Sequence, residues 1–123
     1  MLGVVWIDSE VKNGGFEQYF ENPYSFFFDS SLELLIEVNG TNYVDLLSRA
    51  ASVFPGGVVP RSRSARQRFI ESQRKLQGVD PDEGMCLEPW DSLTSEFYEL
   101  RERDDFWQYP ARYIRSHLEE FFK

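Results

Sequence analysis

The chain has 123 residues, and its 21 acids against 13 bases leave a formal net charge of -8. Hydrophobic residues make up 41% and aromatics 16%, enough bulky surface for one core at single-domain size; residues 1–123 are therefore expected to form one acidic domain, which argues against disorder. The acid excess opposes direct binding to nucleic acid or to an anionic membrane and favours a basic protein surface as partner.

The apolar opening Leu2 to Ile7 lacks the length and basic start of a signal peptide; residues 2–11 read as a short helix or strand, with the helix preferred. Asn13-Gly14-Gly15 breaks the chain, and Phe16, Tyr19 and Phe20 then mark a helix face, with Glu17, Gln18 and Glu21 turned away. Asn22-Pro23 closes that helix. Ser30 and Glu33 fit a capping box for a helix through Leu34, Leu35 and Val38 that stops at Gly40. Thr41 or Asn42 is expected to cap the next helix, with Val44, Leu47 and Ala51 as its stripe, ending before the loop at 54–60.

Ser64 and Gln67 suggest the start of a helix to Gly78, with Ala65, Phe69 and Leu76 inward. An acidic loop follows at Asp80 to Gly84. Leu93, Phe97 and Leu100 place a helix ending near Asp104, and Pro110 suits the first position of the last helix. That helix carries Tyr113, His117 and Phe121, broadened by Ile114, Leu118 and Phe122. Five to seven helices and no alternating strand pattern predict an all-α bundle, with Phe16, Phe20, Leu34, Leu35, Leu47, Phe69, Phe97, Leu100 and Leu118 inward.

Catalytic chemistry finds little support. His117 is the sole histidine, which removes His-pair catalysis and multi-His metal sites, and its apolar helix face predicts a packed core residue. Cys86 is the sole cysteine, so no internal disulfide forms, and the acids around it disfavour a reactive thiolate. The 80–84 loop superficially resembles a calcium loop, but its glycine is one place early and Asp91 stands where a bidentate Glu belongs. No nucleophile elbow or phosphate-binding glycine loop occurs. The expectation is a cytoplasmic binding protein, not an enzyme, with no cofactor or metal.

The stretch Asn13-Gly14-Gly15-Phe16-Glu17-Gln18-Tyr19-Phe20-Glu21-Asn22 resembles the Asn-Gly-Gly-Phe-x-Gln-aromatic-Phe-x-Asn signature of the DNA-mimic protein family, small acidic helical proteins. Leu32 to Gly40, Ala50 to Pro55, Leu93 to Tyr98 and Tyr113-Ile114 resemble later parts of the same family more loosely. The resemblance implies an all-helical fold, dimers, and occupation of a DNA-binding protein's nucleic-acid site. Two departures stand out. Only twelve residues precede the turn, where family members carry more helix, and residues 61–75 hold six bases and one acid. Within the signature, Asn13, Gln18 and Asn22 are expected to bond exposed backbone groups around the turn, while Phe16 and Phe20 anchor it to the core.

Residues 80–105 hold ten acids and two bases. At about 100° per residue, Asp91, Glu99, Glu102 and Asp105 fall within a third of a helix circumference, with Glu96 at its edge, along roughly 21 Å. Phosphates on one DNA strand are spaced about 3.4 Å apart, so a mimic needs further acids from a neighbouring helix or a dimer mate. These five acids are the candidate partner-binding residues. The bland alternative is a solvated helix stabilised by Glu99–Arg103 and Arg101–Asp105 pairs. A second functional reading is an immunity protein that neutralises a toxin, such as a nuclease, through the same acidic surface. A third assigns RNA or acidic-protein binding to the basic helix.

Overall fold

The computed structural model describes residues 2–79 and 87–118. Among them the fold is all-α, with six α-helices and no strand: α1 (Leu2–Glu21), α2 (Phe28–Glu37), α3 (Thr41–Ala51), α4 (Arg63–Gln77), α5 (Trp90–Arg103) and α6 (Gln108–Ser116). Short 3-10 helices occupy Pro23–Phe27 and Pro55–Gly57.

The first helix runs on both sides of the expected break. Val4, Ile7 and Val11 are fully buried at helical spacing, so the opening segment is helix. Gly14 and Gly15 then kink it: Gly15 has φ 77° and ψ -176°, a region open essentially to glycine alone. Beyond the kink Phe16, Tyr19 and Phe20 are fully buried. Phe20 is the hub of the core, with ring centroids 5.1 Å from both Phe54 and Trp90 and 5.8 Å from Phe28. A second aromatic group centres on Tyr43, against Phe97 at 5.8 Å and Phe106 at 5.1 Å. Phe16 joins the two, edge-on to Phe97 at 6.1 Å.

Several helix boundaries differ from the sequence expectation, each for a local reason. The 3-10 helix at Pro23–Phe27 feeds directly into α2, so Ser30 lies inside a running helix; its hydroxyl donates to the Phe27 carbonyl (3.1 Å) and caps nothing. At the other end Asn39, with φ 63°, takes the left-handed position expected of Gly40. The amides of Asn39 and Gly40 donate to the carbonyls of Ile36 (3.2 Å) and Leu35 (2.8 Å), the paired bonds of a Schellman ending. Gly40 itself is the N-cap of α3, so neither Thr41 nor Asn42 caps it, and Asn42 instead donates to Asp104 (3.2 Å). Helix α4 is capped by Ser62, which accepts from the Ala65 amide, and not by Ser64; it ends at the left-handed Gly78 as expected. Pro110 is the third residue of α6 and not its first.

The inward set holds for Phe16, Phe20, Leu34, Leu35, Leu47, Phe97 and Leu100, all buried. Phe69 is only half-buried, and Leu76 and Leu118 are exposed. On α4 the inward positions belong to Ile70 and, unexpectedly, Arg66, which is 1% exposed. Arg66 lies against the end of α1, donating to the carbonyls of Phe20 (2.9 Å), Asn22 (3.2 Å), Pro60 (2.8 Å) and Arg61 (2.8 Å). Burial lowers its guanidinium's affinity for its proton. Glu17 and Glu21 do not face away into solvent either, because α4 crosses that side of α1 and Arg74 pairs with both.

Candidate protein-binding surface

Helix α5 packs its Trp90, Leu93, Phe97 and Leu100 side inward and leaves Asp91, Glu96, Glu99 and Glu102 exposed on the other. Its position is fixed from both ends of the molecule. The Trp90 indole donates to the Ala50 carbonyl (2.9 Å), the Phe16 amide donates to the Thr94 hydroxyl (3.1 Å), and the Tyr98 hydroxyl donates to the Lys12 carbonyl (2.5 Å). The kink in α1 is thus clasped by α5.

The five candidate acids are not equivalent. Glu99 and Glu102 stand on the exposed helix face as expected. Asp91 is exposed in the first turn, beside a cleft at the Gly14-Gly15 kink. Glu96 is paired: Arg49 of α3 places its Nη1 3.0 and 3.1 Å from the two carboxylate oxygens, and its Nε 3.1 Å from Asp45. The Glu96 hydrogen bond is the leading cause that raises the Arg49 guanidinium above its ordinary pKa. Asp105 lies past the helix, which ends at Arg103 with Asp104 extended (φ -142°, ψ 99°), so the projected helical face overstates its alignment. Its carboxylate accepts from the Trp107 amide (3.2 Å).

The two proposed stabilising pairs fare differently from expectation. No Glu99–Arg103 ion pair forms among the described residues, and Arg101 reaches Asp105 only at 3.8 Å. Arg101 turns instead to Asp8 of α1, with Nε–Oδ1 at 2.6 Å and Nη2–Oδ2 at 3.2 Å, and the Trp107 indole donates to the same carboxylate (3.1 Å). Asp8 is 4% exposed. Nothing local in the sequence signals this bond, which joins residues at opposite ends of the chain. The neighbouring-helix acid that a polyanion mimic requires is present as Asp45, 69% exposed on its side chain and linked to the α5 face through Arg49. The spacing Asp45–Arg49, i to i+4, was the available signal for it.

Of the three polar signature side chains expected to bond backbone, Gln18 and Asn22 act structurally by another route. Gln18 and Asn22 both donate to one oxygen of Glu10, each at 2.8 Å, so a nearly buried carboxylate ties the two halves of α1 across the kink. The Asn13 side chain is exposed, and no hydrogen bond of it is seen among the described residues. Four of the six bases of the segment at 61–75 are engaged within the fold, while Arg68 and Lys75 are exposed. Arg63 donates to the Glu21 carbonyl (3.0 Å), Arg66 is internal, Arg74 holds Glu17 and Glu21, and Arg61 stacks 5.9 Å over Phe26. These cations meet the negative end of the α1 dipole.

His117 is not a core residue. It is half-buried at the end of α6, stacked 4.2 Å from Tyr113, with Nε2 3.1 Å from Glu37. The calcium-like loop and Cys86 lie outside the described residues, as do Phe121 and Phe122. Among the described residues no group of His, Cys, Asp and Glu is placed to hold a metal, and no helix is long and apolar enough to cross a membrane. Against known proteins, the family model described as DMP19-like protein matches residues 1–117. No curated protein and no solved structure matches the chain.

Proposed function

The chain belongs to the DMP19-like protein family, and on that premise we propose that it is an acidic protein-binding module that occupies the nucleic-acid-binding surface of a basic DNA-binding protein. The observation that carries this reading is the exposed face of α5. There Glu99 and Glu102, with Asp91 and Asp105 at its ends, stand clear of ion pairing apart from the long Arg101–Asp105 contact; of the two arginines on α5, Arg101 is turned inward to Asp8 and Arg103 is exposed. Asp45 of α3 widens the face, and the partial neutralisation of Glu96 by Arg49 gives it a charge pattern instead of a uniform field. Such a surface attracts Lys- and Arg-lined grooves at long range and is screened over about 8 Å at physiological salt. Mimicry by dimers, with a second face extending the first, follows from the same family reading.

The test is competition. A basic DNA-binding protein captured from native lysate is bound to labelled duplex DNA, and the acidic protein is titrated in by gel shift. The wild type is expected to release the DNA without binding it, and Glu99→Lys/Glu102→Lys/Asp105→Lys is expected to release it poorly with its fold intact. Retention of DNA by the isolated protein at physiological salt would overturn the reading and promote the basic helix. Equal competition by the triple variant would move the interface off α5.

A further inference from the structure

Helix α5 carries two arginines: Arg103 is exposed beside Glu102, whereas Arg101 is directed away from the acidic face, which leaves that face the more negative. Arg101 lies one turn before Asp105 and next to Glu102, and its Nη1 is already 3.8 Å from the Asp105 carboxylate. Its side chain is nevertheless 19% exposed, while Asp105 is 70% exposed, because the guanidinium plugs into Asp8 with two contacts at 2.6 and 3.2 Å. Trp107 closes the remaining side by donating to the Asp8 Oδ2 (3.1 Å). Asp8 sits on the inner face of α1 between the buried Ile7 and Val11, so it cannot follow Arg101 outward. The 2.6 Å Nε–Oδ1 contact is an ion pair without hydrogen-bond alignment, so the bonds from Arg101 Nη2 and Trp107 Nε1 to Oδ2 orient the pair, and removing one partner would leave the other charge buried and uncompensated.

We propose that Asp8 is a positioning residue for the partner-binding face: it sets the charge of α5 by holding the Arg101 guanidinium off Asp105 and Glu102. The proposal rests on the reading of α5 as the binding face. If Asp8 loses its charge, the nearest acid for Arg101 is Asp105, and one of the few acids without a strong pairing on the face is then neutralised by the protein itself. The effect is local, transmitted by one side chain, and needs no change of fold.

The experiment uses a fluorescent octalysine peptide as probe, with anisotropy read at low and physiological salt. Asp8→Asn is expected to weaken binding about three- to tenfold and flatten its salt dependence. Asp29→Asn, which makes the same change in net charge on the exposed side of α2, is expected to shift binding less than about twofold. Asp8→Asn/Arg101→Gln removes the stray cation and is expected to restore wild-type binding, which a purely structural role for Asp8 would not predict. Circular dichroism monitors folding. In the wild type the Arg101 Nε–Hε resonance, buried against Asp8, is expected to stay unshifted as peptide is added, a readout that needs no variant. Wild-type binding by Asp8→Asn, failure of the double variant to recover, or a peptide-dependent shift of that resonance overturns the role of Asp8. If Glu99→Gln/Glu102→Gln/Asp105→Asn also binds like the wild type, the α5 reading itself fails; if that variant loses the peptide, only the positioning role has failed.

Discussion

Tyr19 is one of three residues with a buried polar atom left without a hydrogen bond among the described residues, the other two being the paired Asp8 and Arg101. Its ring is fully buried, and its oxygen has no hydrogen-bond partner among the described residues. Burial raises the pKa of this hydroxyl above its ordinary value, and burial with the Asp104 carboxylate does the same for Tyr109, up to about 12. A group whose folded pKa is raised contributes stability below the unfolded value, near 10, and loses it as pH climbs towards the folded value. The protein is therefore expected to weaken progressively above about pH 10. Tyr19→Phe should gain about 1 kcal/mol at neutral pH, since it deletes an unmet polar group, and should show a shallower alkaline loss. Urea melts at neutral pH and at high pH check both halves, and a destabilised variant would mean that the hydroxyl is solvated. Arg66 is the opposite case. Arg66→Leu strips four carbonyls of their donor and is expected to cost on the order of 3 kcal/mol, measured by the same melts. Neither role was readable in the sequence. An arginine at an inward position looks like a break in the apolar stripe, so the pattern Ala65, Phe69 and Leu76 points to a face one residue away from the buried Arg66 and Ile70.

The joint within α1 depends on backbone geometry more than on side chains. An alanine at Gly15 would have to adopt φ 77° with ψ -176° and would also set its Cβ 3.0 Å from the Thr94 hydroxyl. Gly15→Ala is therefore expected to cost about 2–3 kcal/mol and to loosen α1 from α5. Hydrogen exchange at the Phe16 amide, which Thr94 holds, should accelerate more than exchange at the α3 amides. The break was legible because Asn-Gly-Gly is a strong turn signal, and α5 was legible because Leu93, Phe97 and Leu100 repeat at helical spacing with nothing to interrupt them. Helix starts were less so. Ser62, Ser64 and Ser30 are chemically equal cap candidates, and the choice among them is made by where the preceding segment lets the chain turn. The exposure of Glu99 and Glu102 opposite Leu93 and Leu100 was legible from the helical spacing. The surroundings of Glu96 and Asp105 were not, since Arg49 comes from another helix and Asp105 lies beyond the helix end.

At the level of the whole molecule, the core is assembled from segments far apart in the chain. Phe16 and Phe20 meet Phe97 and Trp90, and Asp8 meets Arg101. A chain cut after Leu87, lacking α5 and α6, is expected to remain unfolded, with rapid proteolysis and no cooperative melt; a protected fragment would contradict this. Phe16→Ala, at the centre of those long-range contacts, should cost about 3–5 kcal/mol. The same arrangement bears on how the protein is made. At translation rates of about 5–20 residues per second, roughly 4 to 15 s separate the synthesis of Phe20 from that of Phe97. Through that interval the aromatic side of α1 has left the ribosome without the helix that covers it. The nascent chain is thus a substrate for chaperones that grip exposed aromatic segments, and the yield of soluble protein should depend on them more than the stability of the finished fold would suggest.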